Sequence, residues 1–219
     1  MTAVIDLLSA YSPSIWLVLL AAGLVIGLLA GLLGVGGGVV AVPVLIEVFD
    51  LMGVAPGLAV ALAIGTAQAN ILLASLTAAL AHWRAGTIDR ALVRAWLPAL
   101  LAGTAAGLAV SAVAPPRLLT ATFALAALAL ALKMAIGDRL VLGRSMPSGV
   151  LGQAPPALVG ALASSVGVGS GTLSTPVLSL FSFPVRRAVG AGALFNLAVA
   201  LPATGFFLAH DQGVAGRPF

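Results

Sequence analysis

Residues 27–45 read "GLLAGLLGVGGGVVAVPVL", with four glycines in the five positions from Gly34 to Gly38 and then Pro43, all inside an apolar run. In lipid every backbone N–H and C=O needs a partner within the protein, so a glycine cluster there loosens the backbone where loosening is costly. The figure returns 133 positions later as "GALASSVGVGSGTLSTPVL" over residues 160–178, with ten of nineteen positions identical. Gly34 pairs with Gly167, Gly36 with Gly169, Gly38 with Gly171 and Pro43 with Pro176. Farther along the echo fades, Gly65 matching Gly192 and His82 matching His210 only loosely.

The surroundings say what kind of chain repeats itself this way. Of 219 residues 61% are hydrophobic and 7% charged, and the first Lys or Arg is Arg84, so no water-soluble surface can be assembled. The expected fold class is an all-α integral membrane protein, because apolar runs reach spanning length and the alternation of a lipid-facing barrel strand is absent. Six runs can span: 15–33, 57–81, 95–113, 118–136, 150–166 and 188–209. Two others, 39–49 and 172–183, follow the glycine clusters and would measure only about 16–18 Å as helix, against a hydrocarbon core of about 30 Å.

Counted as crossings, the short segments give the first repeat (1–136) five passes, an odd number, so the second repeat (150–219) enters from the opposite side after a cytoplasmic linker at 137–149. Inverted repeats of about five helices are expected, each with a short glycine-broken helix and the second incomplete. Charge supports the orientation: with the N-terminus outside, Arg84, Arg90, Arg94, Lys133, Arg139, Arg144, Arg186 and Arg187 fall inside, and only Arg117 and Arg217 outside.

Two half-helices entering from opposite faces bring their glycine ends to the midplane. Paired interruptions at corresponding positions are the best sequence-level pointer to a transport site, and a helix N-terminus offers unpaired N–H groups and a positive dipole end to an anion. The expected substrate-binding set is Gly34, Gly36, Gly37 and Gly38 on the first break and Gly167, Gly169, Ser170, Gly171, Thr172 and Ser174 on the second. Thr66 and Asn70, one helical turn apart, and Asn196 are expected to face the same cavity. Backbone amides carry the first side, which has no hydroxyl; Ser164, Ser165 and Thr175 add hydroxyls near the second. Pro176 is expected at the first helical position with Thr175 as cap.

The remaining polar and small residues read more plainly. Gly23, Gly27 and Gly31, like Gly103 and Gly107, have the four-residue spacing of close-packing seams. Glu47, Asp50 and Lys133 fall near helix ends where side chains reach the interface, and His82 and His210 also sit at helix ends. Trp16, Trp83 and Trp96 are expected in an aromatic belt. Ten basic residues scattered singly or in pairs make no phosphate-tracking stripe, so nucleic acid is not an expected partner. There is no cysteine, hence no disulfide or thiolate metal site, and no cofactor set is legible. Met1 to Ser14 carries Asp6 and no basic side chain, unlike a cleavable signal.

The two glycine–proline stretches, with "HWRAGTIDRALVRAWLPALLAGTAAG" after the third segment, resemble the sulfite exporter TauE/SafE family of membrane permeases, over Ile15 to about Pro218. The resemblance implies export of a small sulfur oxyanion, sulfite or an organosulfonate, across a bacterial inner membrane. The second repeat stops after three crossings, whereas a full copy would run to about position 266. That departure leaves room for a second copy or a partner subunit, and for a reading of the chain as a non-transporting subunit or scaffold. An intramembrane serine hydrolase using Ser170 with His82 or His210 is a further alternative, which needs both groups within hydrogen-bond reach.

Overall fold

The computed structural model describes residues 37–137, 141–143 and 149–209, and eight helical residues between 17 and 28. Gly34, Gly36, Gly31, Trp16, Arg139, Arg144, His210 and Arg217 lie outside the described residues. Among those described there is no strand, and the helices are α1 (Gly37–Leu51), α2 (Pro56–Arg84), α3 (Arg90–Val113), α4 (Pro116–Ile136), α5 (Gly149–Val166), α6 (Ser170–Ser179) and α7 (Val185–Ala209). α2, α3, α4 and α7 are long and apolar enough to cross a membrane.

Helix ends follow local chemistry. Asp89 caps α3, its Oδ1 accepting from Leu92 N at 3.0 Å. Proline stands in the first turn of α2 and of α4, where the missing N–H has no intrahelical duty. At the far end of α4, Lys133 Nζ donates to the Gly137 carbonyl at 2.7 Å, so the lysine closes its own helix C-terminus. The α2–α3 turn is fixed by His82 Nδ1 and Thr87 Oγ1, 2.8 Å apart.

In lipid, helices associate through close packing rather than water exclusion, so small residues decide who packs on whom. α3 and α5 form the tightest pair: a Cβ on Gly103 would overlap the Ala157 carbonyl, one on Gly107 the Ala161 carbonyl, and one on Gly160 the Leu100 carbonyl. Gly103 and Gly107 are therefore the seam that the sequence suggests. Gly23 and Gly27 differ, because a Cβ at either meets nothing within 4 Å.

α2 and α7 run antiparallel. Gly65 packs on Phe207 near the end of α7, and Gly190 near its start approaches the Thr87 backbone beyond the end of α2. One core cluster joins Trp96 and Leu100 of α3, Val159 and Ala163 of α5, Leu178 of α6 and Phe195 of α7. Trp96 is 2% exposed and stacks on Phe195 with ring centroids 5.6 Å apart, so it belongs to this core and not to the interfacial belt. Trp83 is 55% exposed.

Gly37, the first described residue of α1, and Ser170, the first of α6, are 133 positions apart in the sequence. Pro43 and Pro176 thus stand inside α1 and α6, and Pro176 is not the first residue of its helix. The N-cap of α6 is Gly169, with no side-chain cap, and Thr175 Oγ1 donates back to the Gly171 carbonyl at 2.9 Å. α6 starts six residues before Pro176, which therefore costs the helix one backbone bond, to the Thr172 carbonyl, and crowds that carbonyl with its ring. At about 15 Å α6 does not cross a bilayer, and the described part of α1 measures about 22 Å. α1 ends beside the start of α2, and α6 beside the start of α7; since α2 and α7 are antiparallel, α1 and α6 point to opposite ends of the bundle.

Candidate functional site

The two short helices meet through their glycine ends. Gly38, buried, lies so close to the Gly167 carbonyl that a Cβ there would overlap it, with Val168 Cα 3.1 Å from the same point. Gly167 has φ +74°, a left-handed conformation that favours glycine, and a Cβ on it would sit 3.1 Å from Ile64 Cα. Helix α5 therefore turns sharply into α6 where α1 and α2 press closest.

The first turn of α6 is already partnered. Gly171 N donates to Asn196 Oδ1 at 2.7 Å, Ser170 Oγ donates to the same oxygen at 3.3 Å, and Thr172 N and Leu173 N both bond the Gly169 carbonyl, at 3.0 and 3.3 Å. The expectation of bare amides is corrected here: a side-chain oxygen of α7 occupies the acceptor position at this helix end. Asn196 Nδ2 has no acceptor among the described residues.

A cavity of about 450 Å³ reaches this point from one end of the bundle. Gly171, Thr172 and Asn196 line its deep part, and His82, Lys133 and Gly137 its mouth. It opens beside the C-termini of α2 and α4 and the N-terminus of α7, the end that carries Arg84, Arg90, Arg94, Arg186 and Arg187. A second cavity, of about 280 Å³, enters from the opposite end past Glu47, Val60, Leu119 and Thr120 and stops at Val166. Between them lie Gly167, Val168, Gly169 and Ser170, all buried.

The other expected site residues distribute unevenly. Ser174 is fully buried and donates to the Gly171 carbonyl at 3.3 Å, lining neither cavity. Ser164 donates to the Thr104 carbonyl at 3.1 Å and Ser165 to the Leu162 carbonyl at 3.3 Å, so both hydroxyls serve helix backbone. Thr66 and Asn70 are exposed on α2 and line neither cavity. Gly37 lies in α1, one residue before the contact of Gly38 with Gly167. Ser170 bonds Asn196 and His82 bonds Thr87, with no hydrogen bond between the serine and that histidine.

Sequence reasoning missed Gln68, which is 1% exposed and whose Nε2 donates to the Ala163 carbonyl at 2.7 Å, tying α2 to α5. A lone long amide in the middle of an apolar helix is itself a signal, since a polar side chain within the membrane faces protein and finds a partner. Lys133 was also not placed in the site by its position in the sequence, yet it stands at the mouth of the larger cavity.

The family profile described as sulfite exporter TauE/SafE matches residues 19–217. A probable membrane transporter protein of Haemophilus influenzae is 28% identical over 202 residues, which cover 90% of this chain and 75% of that protein. A probable membrane transporter protein of Methanocaldococcus jannaschii is 27% identical over 179 residues, covering 78% of this chain and 64% of that one. The chain thus spans about two thirds to three quarters of the length of these relatives. No solved structure matches it. With the match running through both glycine breaks and nearly every helix described, the chain is a membrane protein that belongs to the sulfite exporter TauE/SafE family.

Proposed function

We propose that the chain is a secondary transporter that moves a small anion, a sulfur oxyanion such as sulfite or an organosulfonate, by alternating access across inverted repeats. The observation that carries this reading is the 450 Å³ cavity ending on Gly171, Thr172 and Asn196. Its deep end combines the positive pole of a helix with donors that a negatively charged oxygen can use. Asn196 Oδ1 holds the Gly171 amide at 2.7 Å, as a stand-in for the oxygen of the cargo. An arriving oxyanion takes over that amide, and the released carboxamide turns its Nδ2 toward the anion. Lys133 at the cavity mouth raises the local anion concentration.

The second cavity supplies the path to the other side. Gly167 to Ser170, buried between the two cavities, is the barrier, and rocking of one repeat against the other moves it relative to Val42 and Ile64. By the positive-inside rule the larger cavity opens to the cytoplasm, an orientation that suits export from a bacterial inner membrane. The family's description supports sulfite or a related anion as cargo.

The test is flux of labelled sulfite and of a labelled organosulfonate in vesicles containing the purified protein. Gly171→Ala places a Cβ 2.8 Å from the Gly192 carbonyl and 3.0 Å from Asn196 Nδ2, displacing the side chain on which the exchange depends. Saturable flux that this substitution abolishes is the expected outcome. Equal flux by both proteins would remove the site from the mechanism.

A further inference from the structure

A third cavity, of about 260 Å³, lies on the outer wall of the bundle away from the path described above, lined by Trp83, Ile88, Arg90, Val93, Arg94 and Leu194. Its chemistry is divided by depth. Arg90 and Arg94 are four residues apart and so share one face of the first turns of α3. The Arg90 guanidinium sits 4.7 Å from the centroid of the Trp83 ring, a stacking that orients its donors without neutralising the charge.

The carboxylate nearest in sequence is engaged elsewhere. Asp89 accepts from Leu92 N through Oδ1 and pairs with Arg187 through Oδ2 at 3.7 Å, so neither Arg90 nor Arg94 has an acidic partner among the described residues. The floor of the cavity is apolar. Leu194 lies nine residues into α7, about 13 Å along the helix from Val185, which puts it below the level of the arginines and within the depth of lipid chains.

The cavity also faces outward, with Trp83 55% and Leu80 50% exposed on the adjoining surface of α2. We infer that this is a binding site for an anionic phospholipid, whose phosphate is held by Arg90 and Arg94 and whose first chain methylenes lie on Ile88, Val93 and Leu194. The volume is too small for a whole lipid, and the rest of the chain runs along the exposed apolar surface of the bundle. A soluble phosphate would use the arginines and leave the apolar floor unoccupied.

The test is lipid binding by the full chain purified in neutral detergent, read by native mass spectrometry, with phosphatidylglycerol, phosphatidylcholine and glycerol phosphate as separate probes. Phosphatidylglycerol is expected to bind well above phosphatidylcholine. The double variant Arg90→Gln/Arg94→Gln should bind it roughly thirtyfold more weakly, each basic group contributing about fivefold. Leu194→Trp, which fills the floor and leaves both charges, should also lose the lipid, and single Arg94→Gln provides an intermediate step should the double variant not fold. Arg117→Gln, at the opposite end of the bundle, should bind as the parent chain does. Unchanged phosphatidylglycerol binding in the Arg90/Arg94 variants or in Leu194→Trp would overturn the assignment. So would an equal loss in Arg117→Gln, or glycerol phosphate binding as tightly as the lipid.

Discussion

Asn196 accepts the Gly171 amide at 2.7 Å, a bond between the middle of α7 and the first turn of α6 at the inner end of the 450 Å³ cavity. The bond lies within the second repeat, and under the proposed function it occupies the place that a cargo oxygen takes. Asn196→Asp keeps an oxygen for Gly171 N and adds a negative charge. It is expected to fold with little change in thermal stability while losing anion flux at least tenfold. Asn196→Ala removes the acceptor and should cost about 1–3 kcal/mol of stability as well as flux. Thermal unfolding and vesicle flux measured on the same preparations separate the two effects.

Lys133 stands at the mouth of that cavity with its ammonium on the Gly137 carbonyl. Lys133→Met should raise the KM for an anionic cargo several-fold, leave kcat close to its parent value, and flatten the dependence of flux on ionic strength, since a mouth charge acts on encounter. If flux kinetics are unmoved at low salt, the lysine has no part in attracting the cargo.

Two glycine pairs with the same spacing should behave differently. Gly107→Ala drives a Cβ into the Ala161 carbonyl and is expected to destabilise by about 1–3 kcal/mol, the cost of overpacking a close helix pair. Gly27→Ala meets open space and should leave stability within about 0.5 kcal/mol. Thermal unfolding in detergent is the measurement, and equal effects would contradict the assignment of the α3–α5 seam.

Trp96 and Trp83 make a similar contrast. Trp96→Ala empties a buried position stacked on Phe195 and should cost about 3–5 kcal/mol, whereas Trp83→Ala, at an exposed position, should cost about 1 kcal/mol or less.

These contrasts also show how far the sequence could be read. Apolar runs located the interiors of α2, α3, α4, α5 and α7, because a lipid-facing helix must be apolar through its middle. Their ends ran further than hydropathy indicates: α3 begins at Arg90, since arginines at the membrane surface are as compatible with helix as leucines within it. Which polar residue on α2 faces inward was not legible. Thr66 and Asn70 lie on one face, and Gln68 is rotated by about 200° from Thr66, so only packing decides that Gln68 is buried and the other two exposed. The break before α6 was legible because the sequence repeat supplies a second copy against which to read it. That Asn196, and not a free space, would meet the Gly171 amide was not, since the two are 25 residues apart and belong to different helices.

The central claim is that a small anion binds where the larger cavity meets the first turn of α6. The chain has no cysteine, so Thr172→Cys gives a single thiol beside Gly171 on the cavity wall. The direct measurement is the rate at which a charged, membrane-impermeant methanethiosulfonate labels that thiol in vesicles of known orientation, with and without ethanesulfonate. Labelling from the side that bears Arg90 and Arg187, slowed several-fold by ethanesulfonate, is the predicted result. A thiol labelled only from the opposite side, or at a rate that the anion leaves unchanged, would contradict it.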